Sequence, residues 1–502
     1  MRGHLPLARA APVALLAAGA CAPSLHVRAP DLATPPAFEA PAGAVAASAI
    51  PLDRWWESFG DSQLDALVGE ALANGTDARL ALARLEEARA IRSAALARFR
   101  VQGDLQANAS AQRQTTLSGD ASLSAGGATG GTGGAATGGT AGGFPAAALT
   151  GGDTNTASAN LNLSWEADLF GRRAATRRGA EADLAAARFA FEGARATLAA
   201  DVADALFAAR GLQVQLADAR ETARIQRDLR GVLAERAARG VSAESDVARI
   251  DADLAQAEAQ AAQLDAELVA AKRALLVLTG ASVARAADLP IAGAVADAPQ
   301  PPATLPGDLL RRRPDVREAE ERFRSAVATA EVRRLDLFPR LTLTPGVGLT
   351  TTSGTFAYSV VTWTLGAGLA LPLLDRPRLL AELRAQTARA DQTAITYERT
   401  VQTAFSEADQ ALVRLAADRR RVAYLAAGER RAAFAYDAAR TLFTRGFNDL
   451  QALLDAERTW RASRQALAAA RVDALHRAVT SFRALGGGWS PEPSTNAAGS
   501  RP

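Results

Sequence analysis

Side chains that commonly carry chemistry are scarce in this chain of 502 residues. It has 3 histidines, and only His476 lies outside the N-terminal forty residues. There is no Cys/His pattern suited to a metal, no nucleophile turn of the G-x-S-x-G type and no phosphate-binding glycine loop. The sequence therefore predicts no catalytic residue, no metal site and no cofactor. A hydrolase that uses carboxylates alone is the one enzyme class left open.

The 1 cysteine, Cys21, indicates attachment to lipid instead. Residues 1–20 contain two arginines, no acid and the apolar run Ala11–Ala20, which is typical of a signal peptide and too short to span a membrane as a helix. The sequence Ala18-Gly19-Ala20-Cys21 resembles a bacterial lipobox, with alanine where leucine is usual. Cleavage would leave Cys21 as an acylated, for example palmitoylated, first residue that anchors the protein without spanning the membrane.

A repeat organises the rest of the chain. Shifting the sequence by 206 positions lays Ala180–Ala270 over Gln386–Asp473 and just beyond without a gap. The matched residues include Glu192 with Glu398, Thr197 with Thr403, Arg224 with Arg430, and Arg239-Gly240 with Arg445-Gly446. Such a fixed period sets the architecture before any local prediction is made.

Each copy is predicted to form long helices. Leu184, Phe191 and Leu198 recur every seven residues in the first copy, as Tyr397, Ala404 and Ala411 do in the second. This repeat favours supercoiled helices. No proline interrupts residues 180–238, so one helix of about 59 residues is possible.

Four alternating segments precede these helices, two in each half. Polar and apolar residues alternate over about 103–117, 155–170, 338–350 and 356–374, and the first two flank a Gly/Ala/Thr/Ser-rich loop at 118–152. A soluble sandwich sheet would show the same alternation. However, two lone hairpins are not stable in water, and strands with one apolar and one polar face suit a membrane barrel. Four strands cannot close a barrel, so the sequence predicts an obligate oligomer with one composite barrel.

The segments divide as follows. We expect a signal peptide at 1–20, a lipid-anchored extended tether at 21–51, a first repeat at 52–285 with long helices at 174–279, a linker at 286–306, a second repeat at 307–485 with long helices at 377–485, and a disordered tail at 486–502.

Two local clusters have simple interpretations. The tryptophans of Trp55-Trp56-Glu57-Ser58-Phe59-Gly60-Asp61 are expected to pack at a domain edge, ahead of a helix pair that turns at Asn74-Gly75. Arg172, Arg173, Arg177 and Arg178 fit either a membrane–water boundary or a solvated helix face. The net charge of +3, without a basic block, gives no reason to expect nucleic acid.

Several motifs together resemble the outer-membrane factor family of tripartite efflux systems, in the lipoprotein branch that works with RND-type pumps. They are Trp56-x2-Phe59-Gly60-Asp61, Trp165-Glu166-x-Asp168-Leu169-Phe170-Gly171-Arg172, Leu309-x-x-Arg312-Arg313-Pro314-Asp315-Val316, Phe338-Pro339-x-Leu341 and Leu371-Pro372-Leu373. The resemblance covers the chain from Trp55 to about Leu485.

The resemblance implies a fold and a function. The fold is an α+β membrane protein, a homotrimer with four strands per chain in a twelve-stranded outer-membrane barrel, continued by a long periplasmic α-helical barrel. The function is passive export of drugs or other small molecules, delivered by an inner-membrane RND-type transporter and a periplasmic adaptor protein. A type I protein-secretion channel and a heavy-metal efflux channel are the alternatives, and a structural coiled-coil lipoprotein bridging the envelope is the alternative from another class.

The resemblance also implies where the channel closes. Arg239-Gly240-Val241 and Arg445-Gly446-Phe447 become the periplasmic tips that contact the adaptor. Acids just after these turns form the constriction in similar proteins, and the matching positions here are Asp246 and Asp455. Ala452 and Asn448 stand where an acid and a base are often found, so apolar contacts through Leu453 and Leu454 could hold the gate instead. The alternative is that both acids are ordinary surface residues.

Overall fold

The computed structural model describes residues 23–39, 52–113, 153–291, 295–302, 306–354 and 357–489. The chain divides into two compact units. A sheet unit combines Leu96–Ala174 with Arg334–Leu380, and a helical unit combines Ser24–Ala95, Ala175–Arg333 and the chain from Ala381 onward. Both sequence repeats therefore contribute to both units. Residues 1–20, Cys21 and the loop at 118–152 lie outside the described residues.

The sheet unit contains one antiparallel sheet of four strands in the order β1-β2-β3-β4. The strands are β1 (Gln102–Arg113), β2 (Asp153–Ala167), β3 (Arg340–Ser353) and β4 (Tyr358–Ala370). The sequence suggested two separate hairpins, but β2 pairs with β3 within the chain, with Leu161 opposite Val347. The second and fourth strands end earlier than predicted because Asp168 and the residues after Ala370 already belong to turns that lead into helices.

The register gives the sheet two different faces. One row across the four strands is Leu105, Leu161, Val347 and Trp363, and the neighbouring row is Gln106, Asn160, Gly348 and Thr362. The apolar face is open in the single chain, since Trp363 is 79% and Leu365 is 84% exposed. On the polar face, a Cβ at Gly348 would lie 2.4 Å from Asn160 Oδ1, so glycine leaves room for that amide.

The described part of the chain contains eight helices. They are α1 (Ser62–Asn74), α2 (Thr76–Ala97), α3 (Arg172–Ala238), α4 (Glu244–Thr279), α5 (Pro306–Arg312), α6 (Pro314–Leu335), α7 (Arg376–Thr444) and α8 (Leu450–Ala484), with 3-10 turns at Leu52–Phe59 and Val283–Asp288. Helix α3 has 67 residues, longer than the helix of about 59 that the sequence predicted, and α7 has 69. None of the described helices combines the length and hydropathy needed to cross a membrane.

The start of α3 corrects the interpretation of the arginine cluster. Asp168 accepts hydrogen bonds from the backbone N–H groups of Arg172 (2.7 Å) and Arg173 (3.1 Å), which fixes the first turn of the helix. The Arg172 side chain is buried and pairs with Asp336 and, at 3.5 Å, with Glu166. Arg172 is therefore an internal ion-pairing residue, whereas the other three arginines are exposed.

The heptad rows form the packing surface of the long helices. Leu198, Val202 and Leu216 on α3 are buried, as are Val401 and Ala404 on α7. Leu198 and Val202 join a core with Trp55, which is fully buried and stacks on Phe482 at a centroid distance of 5.6 Å. The prediction that the tryptophans serve packing is confirmed.

The tether is partly ordered. Pro23–Glu39 is extended along α7, and the backbone N–H groups of Arg28, Asp31 and Glu39 donate to carboxylates of that helix. The acceptors are Asp391 at 2.9 Å, Glu398 at 2.8 Å and Asp409 at 2.8 Å. This part of the tether is thus bound to the body, while residues 40–51 are not described.

The tail prediction is wrong for its first residues. Gly488 N donates to Leu52 O at 2.8 Å, and the indole of Trp489 donates to Arg312 O at 2.6 Å. Trp489 is 9% exposed. The described chain therefore stays ordered to Trp489 because an aromatic side chain has a buried place to pack, and residues 490–502 are not described.

Asp61 joins two elements of the core. Its side chain caps α1 by accepting from Gln63 N and Leu64 N, and it also pairs with the buried Arg210 of α3, whose Nη2 lies 3.0 Å from Oδ1. Burial by itself raises the pKa of Asp61, but the bonds from Arg210 and Leu64 N outweigh it and lower the pKa below 3.8. The stabilisation is therefore present above that value and is lost as the pH falls through the lowered pKa.

We expect Asp61→Asn to lower the free energy of unfolding at pH 7 by about 1 to 3 kcal/mol, because asparagine still caps the helix but leaves Arg210 without its anion. Asp61→Ala should cost about 1 kcal/mol more through loss of the cap. Urea unfolding followed by circular dichroism in detergent measures both. Equal stability of Asp61→Asn and the parent chain at pH 7 would contradict the role of this pair.

Candidate gate at the helix-hairpin tips

The helical unit contains two helix hairpins that end in the same kind of turn. The first hairpin is α3 and α4, and the second is α7 and α8. At the first tip, Gly240 has φ of +74°, Val241 N bonds to Arg236 O (2.9 Å) and Gly240 N bonds to Ala237 O (2.8 Å). This is a Schellman motif, in which glycine adopts a left-handed conformation at low cost.

The second tip repeats this geometry. Gly446 has φ of +77°, and Phe447 N bonds to Leu442 O at 2.9 Å. The turns lie where the Arg-Gly pairs predicted them. Val241 is 73% and Phe447 is 79% exposed, and Arg239 and Arg445 are also exposed. Each tip thus presents one large apolar side chain beside one guanidinium.

The two predicted gate acids have different surroundings. Asp246 is half-buried in the first turn of α4, where the positive end of the helix dipole stabilises an acid. Asp455 is exposed and accepts from Gln451 Nε2 with both oxygens at 3.2 Å. Gln451 Oε1 in turn accepts from Arg249 of α4 at 2.8 Å. A chain of hydrogen bonds therefore connects the first hairpin to Asp455.

Leu453 and Leu454 are core residues of the hairpins. Leu453 is 6% exposed and packs with Tyr436 and Phe443. Leu454 is 1% exposed and packs with Leu233 and Ile250, one from each helix of the first hairpin. Both leucines therefore pack within the chain, Leu454 between the two hairpins, and their role in the gate stays a prediction.

Sequence reasoning missed Asp449, which lies between Asn448 and the start of α8. Its side chain accepts from Ala452 N at 2.8 Å and caps the helix. The signal was available, because aspartate just before an apolar periodic run is a common N-cap. Asp449 therefore serves a structural role at the start of α8.

Sequence reasoning also missed the contacts that join the two hairpins. Arg458 of α8 bonds to Asp253 of α4 at 3.1 Å, and Arg464 of α8 pairs with Asp218 of α3. Farther along α8, His476 Nδ1 lies 2.6 Å from Asp204 Oδ1. The partners in each pair are separated by more than 200 residues, so no local pattern could have revealed them.

Buried Glu457 makes a further polar contact between the hairpins near the tips. Gln226 Nε2 of α3 donates to its oxygens at 3.1 Å and 3.4 Å, and Arg461 Nε lies 3.5 Å away. Within the second hairpin, Trp460 stacks on Tyr436 at 4.9 Å. In the described residues, no group of three or more His, Cys, Asp or Glu side chains is arranged to hold a metal.

A two-faced sheet and two long hairpins supplied by one chain define a class of bacterial channel protein. The family model described as "Outer membrane efflux protein" matches residues 67–281 and 305–487, and the chain belongs to this family. It is therefore an outer-membrane exit duct of an efflux system, a transport protein of a family of ducts rather than enzymes.

Individual relatives agree with this assignment. The chain is 28% identical to the pyoverdine export outer membrane protein OpmQ of Pseudomonas aeruginosa over 88% of each chain. It is 29% identical to the cation efflux system protein CusC of Escherichia coli O6:H1, covering 87% of this chain and 88% of CusC. The solved structure of the outer-membrane channel OprN is similar with a TM-score of 0.73 and 28% identity, over 93% of this chain and 100% of that one.

The packing role of Leu454 leads to a stability prediction. Leu454→Ala should lower the free energy of unfolding by about 2 to 5 kcal/mol, because it leaves a cavity between Leu233 and Ile250. Trypsin cleavage at Arg239 and Arg445 should become faster, since the hairpins are held less firmly. Val241→Ala, at an exposed tip position, is the matched control and should change stability by less than about 0.5 kcal/mol. Equal effects of the two variants would contradict the packing role.

Proposed function

We propose that three copies of this chain form one duct, with a twelve-stranded barrel in the outer membrane and a helical barrel in the periplasm. The exit duct would receive small molecules from an inner-membrane RND-type transporter through a periplasmic adaptor, completing a tripartite pump. No chemistry occurs in the duct, and the pump supplies the driving force.

The two-faced sheet is the observation that carries this proposal. Its apolar face, with Leu105, Val361, Trp363 and Leu365 all exposed, is suited to lipid. Its opposite face carries amides, hydroxyls and glycines, which suit a water-filled interior. An envelope-bridging coiled-coil lipoprotein would not require a sheet with one apolar and one polar face.

The sheet edges support the sharing of strands between chains. β1 and β4 are the outer strands, so within the described chain each has one edge without a partner strand. Unpaired backbone groups are costly in hydrocarbon, and about eight strands are needed to close a membrane barrel. Pairing β1 of one copy with β4 of the next removes the open edges, and three copies supply the twelve strands.

The tips support a gate and an adaptor contact. We place the adaptor contact at Arg239, Gly240 and Val241 and at Arg445, Gly446 and Phe447, where apolar side chains are exposed. We assign the gate to Asp455 and Asp246, of which Asp455 is connected to the first hairpin through Gln451. Three copies of each acid around a narrow pore would repel one another and favour cations.

The tether supports an anchor at Cys21. Arg28 is bound to α7, and seven residues of extended chain between Cys21 and Arg28 span at most about 25 Å. The acylated cysteine would therefore be held close to the N-terminal part of α7, where Asp391 lies. Lipid anchoring adds to the barrel in fixing the protein in the outer membrane.

The cargo is a small molecule chosen by the pump rather than by the duct. Relatives named for pyoverdine export and for cation efflux are similar to this chain to nearly the same degree, at 28% and 29% identity. Heavy-metal efflux is the second candidate because of the latter relative. Type I protein secretion is a third alternative, to which no observation here points.

The trimer is tested by the mobility of the protein on gels before and after boiling, with crosslinking of outer-membrane fractions. We expect a crosslinkable trimer that dissociates on boiling. A soluble monomer or dimer would refute the shared barrel and favour the bridging lipoprotein.

The gate is tested with Asp455→Ala, which removes the carboxylate that Gln451 holds. We expect severalfold higher leak of the purified duct in planar bilayers and faster uptake of large antibiotics by cells. Asp437→Ala removes an exposed acid from α7 of the same hairpin and should leave the leak unchanged. If Asp455→Ala also left conductance and uptake unchanged, the gate assignment would fail.

A further inference from the structure

Glu457 and Gln226 form an unusual contact between the two hairpins. Glu457 is 1% exposed and Gln226 is fully buried, and they belong to α8 and α3. Burying a carboxylate is unfavourable unless several donors satisfy it. Here the close donor is the Nε2 of Gln226, which is shared between both carboxylate oxygens.

Gln226 lacks a hydrogen bond in turn. Its Oε1 accepts no hydrogen bond from the described residues. Protonation of Glu457 would remove the unsatisfied buried charge and would also supply a donor to the amide oxygen of Gln226. The O–H of Glu457 can donate to that oxygen, while its carbonyl oxygen accepts from Nε2. The acid and the amide would then form a closed pair with two hydrogen bonds.

Besides the uncharged Gln226 of α3, charged and titratable groups of three helices lie around Glu457. Arg461 and Arg458 lie on α8, Asp253 on α4 and Tyr436 on α7. Arg458 already pairs with Asp253. Burial raises the pKa of Glu457, Arg461 lowers it in part, and Asp253 raises it again, so that the pKa stays above the ordinary value of 4.5.

The pair is close to the proposed gate. Glu457 follows Asp455 by two residues and Leu454 by three, and Leu454 is buried against both helices of the first hairpin. Residues three apart share one face of a helix. Loss of the contact at Glu457 therefore loosens the same face of α8 that keeps the tip of the second hairpin against the first.

We propose that Glu457 and Gln226 are positioning residues of the gate, and that a proton on Glu457 holds the second hairpin against the first. This proposal rests on the gate at Asp455. The coupling is present while Glu457 is protonated and weakens as the pH rises through the raised pKa, because the folded state then holds a buried carboxylate that lacks donors. Rising periplasmic pH thus eases opening of the duct.

The test is the leak conductance of the purified trimer in planar bilayers between pH 5 and pH 8. We expect the leak of the parent chain to rise severalfold across this range. Glu457→Gln keeps the shape and a neutral, two-bonded pair, so it should remain at the low leak over the whole range. Asp437→Asn replaces an exposed acid on α7 and should keep the pH response of the parent chain.

A second variant removes the acceptor and donor while keeping Glu457. Gln226→Met should give at pH 5 the leak that the parent chain has only at pH 8. The proposal is overturned if Glu457→Gln keeps the full pH response, or if Gln226→Met behaves as the parent chain at both pH values. If the parent chain forms no channel at all, the duct itself is refuted. If the pH response is lost in Asp455→Ala but kept in Glu457→Gln, the pH effect comes from the gate acids and the proposal is overturned.

Discussion

The pairing of β2 with β3 is the interaction on which the rest of the sheet depends. It joins two hairpins that come from opposite halves of the chain, with Leu161 facing Val347 across the pair. Neither hairpin alone would be stable in water. Once they are joined, a single register carries most of the apolar residues to one face and most of the amides, hydroxyls and glycines to the other. A shift by one residue would mix the faces, and the distinction that makes the sheet suitable for a lipid boundary would disappear.

Helix α8 has a comparable role in the helical unit. Leu454 contacts both helices of the first hairpin, while Leu453 and Trp460 contact α7. The same helix supplies Gln451, Glu457, Arg458, Arg464 and His476, each of which has a polar partner on the first hairpin. Movement of the second tip relative to the first therefore requires these contacts to change together. Because several of these contacts are polar, the movement depends on the charges of the groups involved. Apolar packing alone would not make it depend on charge.

The tips combine features of two kinds. Their shape is a backbone property, because a glycine with positive φ ends α3 and α7 by the same pair of hydrogen bonds. Their surface is a side-chain property, because Val241 and Phe447 are exposed there. The first feature belongs to folding and the second to recognition. It is the second that supports an adaptor contact at this end.

The sequence by itself determined the order of the elements, the alternation of the strands and the positions of both tips. Seven-residue periodicity, two-residue alternation and a glycine after a helix each act over a few neighbouring residues, so they can be read locally. Only the tertiary structure decided that Leu453 and Leu454 are core residues, that Arg172 is buried in an ion pair, and that Trp489 packs in the chain rather than in a free tail. Only it could bring Gln226 to Glu457 and Arg249 to Gln451. These partners are about 200 residues apart along the chain, and their meeting depends on how the long helices pack, which no local pattern encodes.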